Sequence, residues 1–401
     1  MAAKSTLQYR LILFLIIAVA VTLISPTFKK IQFASGVDEG YYFKYAAFIS
    51  AKGLSGFSEL FKGYLGNQEH WLFPSPLRAG YIILSAVWLK IFGQSFINLA
   101  YFSLFCYVLF LGVNYYFSKK YLGGQLALLF VLLLAFSPLQ LAMSRRALAE
   151  AAVNLFSSLS IWFFWDFLRE RKHRTFIFFI AAMSVNILIK ESSALLVFTF
   201  LILWLIDKFI YQGKADFKEC ASILIFPLFA AGLAFWLLRC LPYLFSAIKI
   251  ILNSPGTNAY AIQFGSGPWY RYLIDYMLLS PWAVILALGF ILRLLLGKAD
   301  NEMHAYFAAF FLAAFILLNI FTKNVRYAIV LDMPMRLFSL LMLERITRRI
   351  FPQQAIKLLS VLVVALAFSD YFNFYEIFVQ GGVYDPASFL LLKAKHIIPF
   401  N

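Results

Sequence analysis

Long apolar stretches alternate with short charged gaps along most of the 401-residue chain. A helix needs roughly 17–25 apolar residues to cross a bilayer, so each such stretch predicts one membrane-spanning helix. No long polar segment remains for a separate soluble domain. The pattern therefore predicts an all-α transmembrane bundle that forms a single integral membrane domain over residues 1–401. About eleven spans are predicted, at residues 11–26, 96–118, 122–142, 147–168, 175–190, 193–211, 220–245, 271–296, 304–322, 328–344 and 354–374.

One apolar run, residues 77–92, is short and contains Arg78 and Lys90. It is either a short span or a helix lying at the membrane interface. The excess of Lys and Arg on cytoplasmic loops helps to decide. If the run does not cross, the N-terminal cations share one face with most later cations, so we interpret it as interfacial. Residues 27–95 then form a first extracytoplasmic loop with juxtamembrane helices, and residues 375–401 form a short extracytoplasmic tail.

Composition supports this class and excludes others. The chain is 63% hydrophobic and 13% charged, whereas soluble domains average about 25% charged residues. The net charge of +16 fits basic residues that flank spans and meet anionic headgroups of the cytoplasmic membrane. Nucleic-acid binding is not predicted, because the cations lie in gaps between spans. The first stretch lacks a convincing cleavage site, so we interpret it as an anchor. Cys106, Cys220 and Cys240 lie in apolar runs and resemble small buried hydrophobic residues.

The predicted extracytoplasmic face collects a distinct set of charges. Charged groups at helix ends are costly in hydrocarbon and tend to face a polar cavity. Carboxylates and cations gathered on one face predict a pocket for an anionic substrate with a general base nearby. The members of this set are Asp38, Glu39, Arg78, Arg145, Arg146, Glu150, Lys190, Glu191, Arg271, Lys323 and Arg326.

Asp38 and Glu39 are the strongest candidates for chemistry. Most acids in loops are simply solvated, but these two are followed by Tyr41, Tyr42 and Tyr45, which is typical of a short helix on the membrane surface. At the N-terminal end of such a helix, the helix dipole favours an ionised carboxylate.

The other candidates each have a plainer explanation beside the functional one. Arg146 and Glu150 are four residues apart, so a local ion pair is the simplest interpretation; the pair could also order a sugar or a metal. Arg78 follows two prolines and either contacts a phosphate or packs against the bundle. Lys323 and Arg326 either snorkel to headgroups or bind a lipid phosphate.

Several chemistries are not indicated. The four histidines have no zinc-ligand spacing, and there is no phosphate-binding glycine loop or nucleophile elbow. ATP hydrolysis and serine hydrolase chemistry are therefore not predicted.

The order of the motifs resembles the C-type (GT-C) membrane glycosyltransferases, above all the protein O-mannosyltransferase and aminoarabinose-transferase branch. The likeness covers most of residues 10–340, and order and spacing carry it. Its landmarks are Asp38-Glu39, Pro74-Ser75-Pro76-Leu77, Ser144-Arg145, Lys190-Glu191, Trp269-Tyr270-Arg271-Tyr272 before Ser280-Pro281, and Arg326-Tyr327 before Pro334.

The resemblance implies an enzyme that transfers a sugar from a polyprenyl-phosphate-linked donor on the extracytoplasmic face. Asp38 matches the family's catalytic acid and is expected to be the general base. Arg326, Lys323 and Arg271, and less directly Arg78, are expected to bind the donor phosphate. Glu39 and Glu150 are expected to hold the sugar or a divalent ion. A divalent cation at Asp38 and Glu150 stays open, because metal need varies in the family.

Two features depart from the family. Glu150 stands where aspartate is common, and no sizeable C-terminal extramembrane domain follows the spans, so the acceptor (glycan, lipid or protein) is not indicated. The alternative is a transporter or flippase of lipid-linked sugars, which explains the spans and cations equally well. No matched pair of helix-breaking halves supports it. A non-enzymatic scaffold leaves the clustered charges unexplained.

Overall fold

A computed structural model describes residues 2–31, 33, 37–211, 216–257, 262, 265, 267–297, 301–320, 322–382 and 386. Regular structure in this part of the chain is entirely helical, as the sequence predicts. The α-helices are α1 (Ala2–Ile24), α2 (Asp38–Lys52), α3 (Phe57–Gly66), α4 (Ala79–Phe92), α5 (Phe96–Leu122), α6 (Gly124–Ala135), α7 (Pro138–Ser144), α8 (Glu150–Glu170), α9 (His173–Ile189), α10 (Ala194–Phe209), α11 (Phe217–Leu237), α12 (Leu241–Thr257), α13 (Arg271–Leu279), α14 (Pro281–Leu296), α15 (Glu302–Leu318), α16 (Asp332–Ile350) and α17 (Ala355–Phe374).

Short helices of other types connect some of these elements. The 3₁₀-helices are Ser25–Lys30, Leu54–Gly56, Gln68–Leu72, Glu191–Ser193 and Val325–Leu331, and Tyr375–Gln380 is a π-helix.

Six helical segments of the described chain are long and apolar enough to cross a bilayer. They are Leu7–Lys30, Phe96–Leu122, Glu150–Glu170, Glu191–Phe209, Phe217–Leu237 and Ala355–Gln380. The pair α6 and α7 makes a seventh if it is one broken span. The protein is therefore an integral membrane protein, while the count of about eleven spans stays a prediction.

Three of the predicted spans are interrupted. The run 122–142 bends by 63° between α6 and α7, the run 220–245 breaks before α12, and the run 271–296 breaks at Ser280. Pro138 and Pro281 begin the helices after two of these breaks, because proline suits the first turn of a helix and pushes the residue before it out of the helical region. In the third break, Arg239 adopts a left-handed backbone with φ 57°. The mean hydropathy of a run does not reveal such breaks, because broken and continuous helices have similar apolar content.

The predicted first loop contains the helices that the sequence indicates. Helices α2, α3 and α4 fill it, and α4 packs against α2, α5 and α9. Gly80 makes the contact with α9 possible, because a Cβ there would lie 2.9 Å from the backbone carbonyl carbon of Leu188. This close approach brings the beginning of α4 to the end of α9.

Helix α8 lies at the centre of the bundle, where it packs against α5 and α9. Each of its ends carries a glutamate that is paired with a lysine. Glu150 begins the helix and bonds Lys190, and Glu170 at its last turn bonds Lys120. At about 1.5 Å per residue these ends are about 30 Å apart. The predicted separation of Glu150 from the cations near residues 119–120 and 169–174 is thus seen along one helix.

A buried ionic network holds the broken helices together. Arg336 of α16 bonds the carboxylates of Asp332 (3.3 Å) and Asp370, and all three side chains are buried. Its guanidinium also donates to Ser280 Oγ at 3.0 Å and to Ser137 Oγ at 3.2 Å. Both hydroxyls lie at the proline breaks. One arginine therefore satisfies polar groups at two interruptions of the bundle.

The same network reaches the central helix. Gln140 of α7 donates to Asp332 at 2.9 Å, and Asn154 of α8 donates to Gln140 at 2.8 Å. The segments before α8 and before α16 are thereby fixed relative to each other.

We expect Arg336→Met to destabilise the protein by about 3–5 kcal/mol, because it leaves two buried carboxylates without their cation. Thermal unfolding in detergent measures the change. Lys357→Met, which removes an exposed cation from α17, is the control and should shift the melting temperature little. Equal melting temperatures for the two variants would refute the structural role of the network.

Candidate active site

Five segments converge on one cluster of charged residues. They are the beginning of α2, the beginning of α4, the loop between α7 and α8, the junction of α9 with α10, and the 3₁₀-helix Val325–Leu331. Electrostatic interactions join the cluster across these segments: Glu150 interacts with Lys190, Arg326 and Arg78. Most of the charges that the sequence assigns to one face are therefore gathered at one place.

Asp38 is the accessible acid of the cluster. It is the first residue of α2, and its side chain is 35% exposed. One carboxylate oxygen, Oδ2, accepts from Nη1 and Nη2 of Arg326, each at 3.3 Å. Asn324 orients that arginine, since its Oδ1 accepts from Arg326 N at 3.0 Å and from Nε at 3.3 Å. Asp38 thus combines access from outside with a fixed orientation.

The environment of Glu39 is the opposite of that of Asp38. It is 1% exposed, and both of its oxygens accept from the guanidinium of Arg146. The backbone N of Ala147 donates to Oε1 of Glu39 at 3.0 Å. These contacts make Glu39 an anchor between α2 and the loop before α8, and the catalytic role that the sequence assigned to it stays a prediction.

The predicted local ion pair of Arg146 with Glu150 is wrong. Helix α8 begins only at Glu150, so Arg146 lies outside the helix and the four-residue spacing does not place the two side chains on one face. Glu150 instead accepts from Lys190 at 3.0 Å, and both side chains are buried. Lys190 Nζ also lies 4.2 Å from the ring centre of Tyr327. The second oxygen of Glu150, Oε2, is buried and has no hydrogen-bond partner.

Arg78 links the beginning of α4 to the α9–α10 junction. Its Nη2 and Nε lie 2.7 and 2.9 Å from the two oxygens of Glu191, and Nη1 donates to the hydroxyl of Tyr42. Burial alone would lower the pKa of Arg78, but the carboxylate of Glu191 together with Tyr42 and Tyr327 outweighs this effect and raises that pKa. Burial also raises the pKa of Tyr42, so its hydroxyl stays protonated while it accepts from Arg78.

Three predicted residues lie at the edge of this cluster or away from it. Arg145 is buried and donates to the carbonyl oxygens of Thr27 (3.0 Å) and Phe378 (3.4 Å). It therefore connects backbone segments. Lys323 Nζ donates to Gly267 O at 2.9 Å, and Arg271 lies beside the same glycine and is 3.9 Å from Asp275.

The sequence missed Tyr42, Tyr327 and Asn324 as members of the site. Tyr42 was interpreted only as an interfacial aromatic residue, and Tyr327 only as a neighbour of Arg326. The one available signal was their position in the chain, next to charged candidates. Tyrosines are too frequent here, at 22 in the chain, to be distinguished without the structure.

The carboxylates of the site are paired with cations rather than with one another. Among the residues that the structure describes, no group of three or more His, Cys, Asp or Glu is placed to hold a metal ion. Asp38 faces Arg326 and Glu150 faces Lys190, which does not fit the acidic cage that a divalent cation prefers. The arrangement instead fits a ligand that combines an anion with hydroxyl groups.

The helices are arranged as in the GT-C fold of the solved structures that follow, so the predicted all-α transmembrane class is confirmed. The ArnT structure from Cupriavidus metallidurans bound to undecaprenyl phosphate superposes with a TM-score of 0.61 at 13% identity, over 92% of this chain and 77% of that one. Its apo form gives 0.52 at 13% identity, over 88% and 62%. The apo oligosaccharyltransferase of Archaeoglobus fulgidus gives 0.60 at 12% identity, over 94% of this chain and 56% of that one.

A family comparison points to the same class. Residues 75–236 match the family model described as dolichyl-phosphate-mannose-protein mannosyltransferase. No curated protein sequence matches the chain. The family model matches 162 of the 401 residues, and the superpositions show the fold.

We expect the Glu39–Arg146 pair to contribute strongly to stability, because both oxygens of a buried carboxylate depend on one guanidinium. In a double-mutant cycle with Glu39→Gln and Arg146→Gln, a coupling energy of about 1–3 kcal/mol should appear in detergent unfolding. The exposed Lys52–Glu59 pair is the matched control and should give less than about 1 kcal/mol. Similar coupling in both cycles would remove the anchoring role.

Proposed function

We propose that the protein transfers a sugar from a polyprenyl-phosphate-linked donor to an acceptor hydroxyl, with Asp38 as the general base. The observation that carries the proposal is the position of Asp38: an accessible carboxylate at the head of α2, oriented by Arg326 and surrounded by cations, in a GT-C fold. The structure of ArnT with undecaprenyl phosphate supports the choice of a polyprenyl-phosphate donor. An amine or phosphate acceptor is a variant of the same reaction.

The reaction is a single displacement at the anomeric carbon. Asp38 takes the proton of the acceptor hydroxyl while the acceptor oxygen attacks that carbon. The bond between the anomeric carbon and the phosphate oxygen breaks, and polyprenyl phosphate leaves with the electron pair. Inversion at the anomeric carbon is expected.

Cations stabilise the leaving phosphate. Arg326 is the first candidate, because a guanidinium binds phosphate with two parallel hydrogen bonds. Lys323 and Arg271, which both contact Gly267, extend the positive surface beside it.

Glu150 is suited to bind the sugar. Its free Oε2 is a buried acceptor, and a buried acceptor without a partner costs about 1–3 kcal/mol. A sugar hydroxyl that donates to this oxygen would recover that energy. Lys190, held between Glu150 and Tyr327, keeps the carboxylate in place.

We place the reaction on the extracytoplasmic side of the cytoplasmic membrane. The site lies at the beginning of α8, and the cations near residues 119–120 and 169–174 lie at its other end. An excess of Lys and Arg marks the cytoplasmic side.

We expect Asp38→Asn to lower the rate of transfer by about 10²–10⁴-fold, because an amide cannot accept the proton. Release of polyprenyl phosphate is measured from a panel of polyprenyl-phosphate sugars, with host membrane extract supplying the acceptor. Glu69→Gln, which neutralises an exposed acid in the same loop, should retain full turnover. Equal rates for wild type and Asp38→Asn would exclude Asp38 as the base. Movement of the lipid-linked sugar across proteoliposomes without release would indicate a transporter.

We expect Arg326→Met to raise the KM for the donor by about 10–100-fold, because a charge-assisted hydrogen bond to the phosphate is worth about 1.5–3 kcal/mol. Inhibition by added polyprenyl phosphate should weaken in parallel. Lys62→Met removes an exposed cation of α3 and should leave both values unchanged. An unchanged KM in Arg326→Met would assign the phosphate to other residues.

A further inference from the structure

A charged, open cavity lies at the far end of the bundle from the candidate active site. It has a volume of about 520 Å³ and is lined by residues of α14, α15 and α16. Helix α16 begins with Asp332, directly after the segment that carries Arg326, and Arg349 of the cavity is about 25 Å further along its axis at 1.5 Å per residue. The cavity is therefore separate from the site described above.

The lining of the cavity is strongly basic. Arg348 and Arg349 follow Arg345 by three and four residues on α16, so both lie on the same side of the helix as Arg345. Arg293 of α14 faces them, and Glu344 is the acid of the lining. Four arginines and one glutamate give a formal charge of +3 with histidine neutral. A lining of this charge favours an anion.

The lining of the cavity also has an apolar part. Phe290 and Leu341 belong to it. On α14, Leu292 and Leu296 lie one residue before and three residues after Arg293, and their side chains are 55% and 81% exposed. In a membrane protein such residues face acyl chains. A helix that gives both an arginine to the cavity and exposed leucines next to it in sequence fits a ligand with both a phosphate and a hydrocarbon tail.

Arginines at a cytoplasmic helix end are common and often only meet the headgroup layer. Two observations go beyond that arrangement. The cations surround a cavity of the size that binds small molecules, about 300–1,000 Å³, and they come from two helices that converge on it. Guanidinium groups also match phosphate oxygens in pairs.

We propose that this cavity binds the phosphate headgroup of an anionic phospholipid, with Arg293, Arg345 and Arg349 on the headgroup and the exposed Leu292 and Leu296 of α14 along its chains. The lipid would sit at the end of α16 opposite the active site. This proposal does not depend on the proposed transferase activity.

The test measures binding of phosphatidylglycerol to the full chain in neutral detergent by native mass spectrometry, with phosphatidylcholine as the neutral comparison. Wild type should bind phosphatidylglycerol preferentially. Each arginine near a membrane surface contributes about fivefold, so Arg345→Gln/Arg349→Gln should weaken binding about 25-fold. Arg345→Lys/Arg349→Lys keeps the charge without the forked geometry and should retain part of the affinity.

The control removes the same charge elsewhere. Lys172→Gln/Arg174→Gln changes two cations that are exposed at the beginning of α9 and should weaken binding less than about threefold. Equal losses in the two double variants would show diffuse attraction and overturn the proposal, as would unchanged binding in the cavity variant. Inorganic phosphate is added in a parallel arm. Displacement of the lipid by millimolar phosphate, with the same dependence on the arginines, would identify a soluble anion as the ligand and overturn the assignment to a lipid.

Discussion

Charge pairing away from water is the constraint on which the rest of the structure depends. A buried ion without its partner costs about 3–5 kcal/mol, and this chain buries many. Its site pairs join residues far apart in sequence: Glu39 with Arg146, Glu150 with Lys190, Arg78 with Glu191, and Asp38 with Arg326. Each pair brings two helix ends together. The four pairs together decide which ends of the helices meet, and so where charged groups gather in an otherwise apolar bundle.

The same constraint separates two neighbouring carboxylates into different roles. Asp38 and Glu39 are adjacent on α2, but successive residues of a helix point about 100° apart. Glu39 points into the bundle and is saturated by Arg146 and the backbone of Ala147, whereas Asp38 is partly exposed and shares a single oxygen with Arg326. A general base must be accessible to the acceptor and must be able to give up its ion-pair partner. Burial and pairing, rather than residue type, make Asp38 the better candidate.

The sequence predicted the class of fold and most members of the charged cluster, because long apolar runs and charges at their ends are local signals. It could not predict which charged residues form pairs with each other. The Arg146–Glu150 pair was the natural local expectation, yet the residues that actually bond Arg146 and Glu150 lie 107 and 40 positions away. The role of Tyr42 in the site was not predicted for the same reason, because its hydrogen-bond partner Arg78 comes from another helix. Hydropathy likewise did not reveal the breaks within 122–142, 220–245 and 271–296, since broken and continuous helices have similar apolar content.

Two of those breaks share a local cause and a common compensation. Ser137-Pro138 and Ser280-Pro281 each end one helix and begin the next, and each leaves polar groups in a region without water. Arg336 donates to both serine hydroxyls, and its own charge is balanced by Asp332 and Asp370. The first break turns α7 away from α6. As a result, the loop that contains Arg146 lies next to Glu39. The bend in the bundle therefore depends on a buried arginine outside the active site, and the position of the site's anchor depends on the bend.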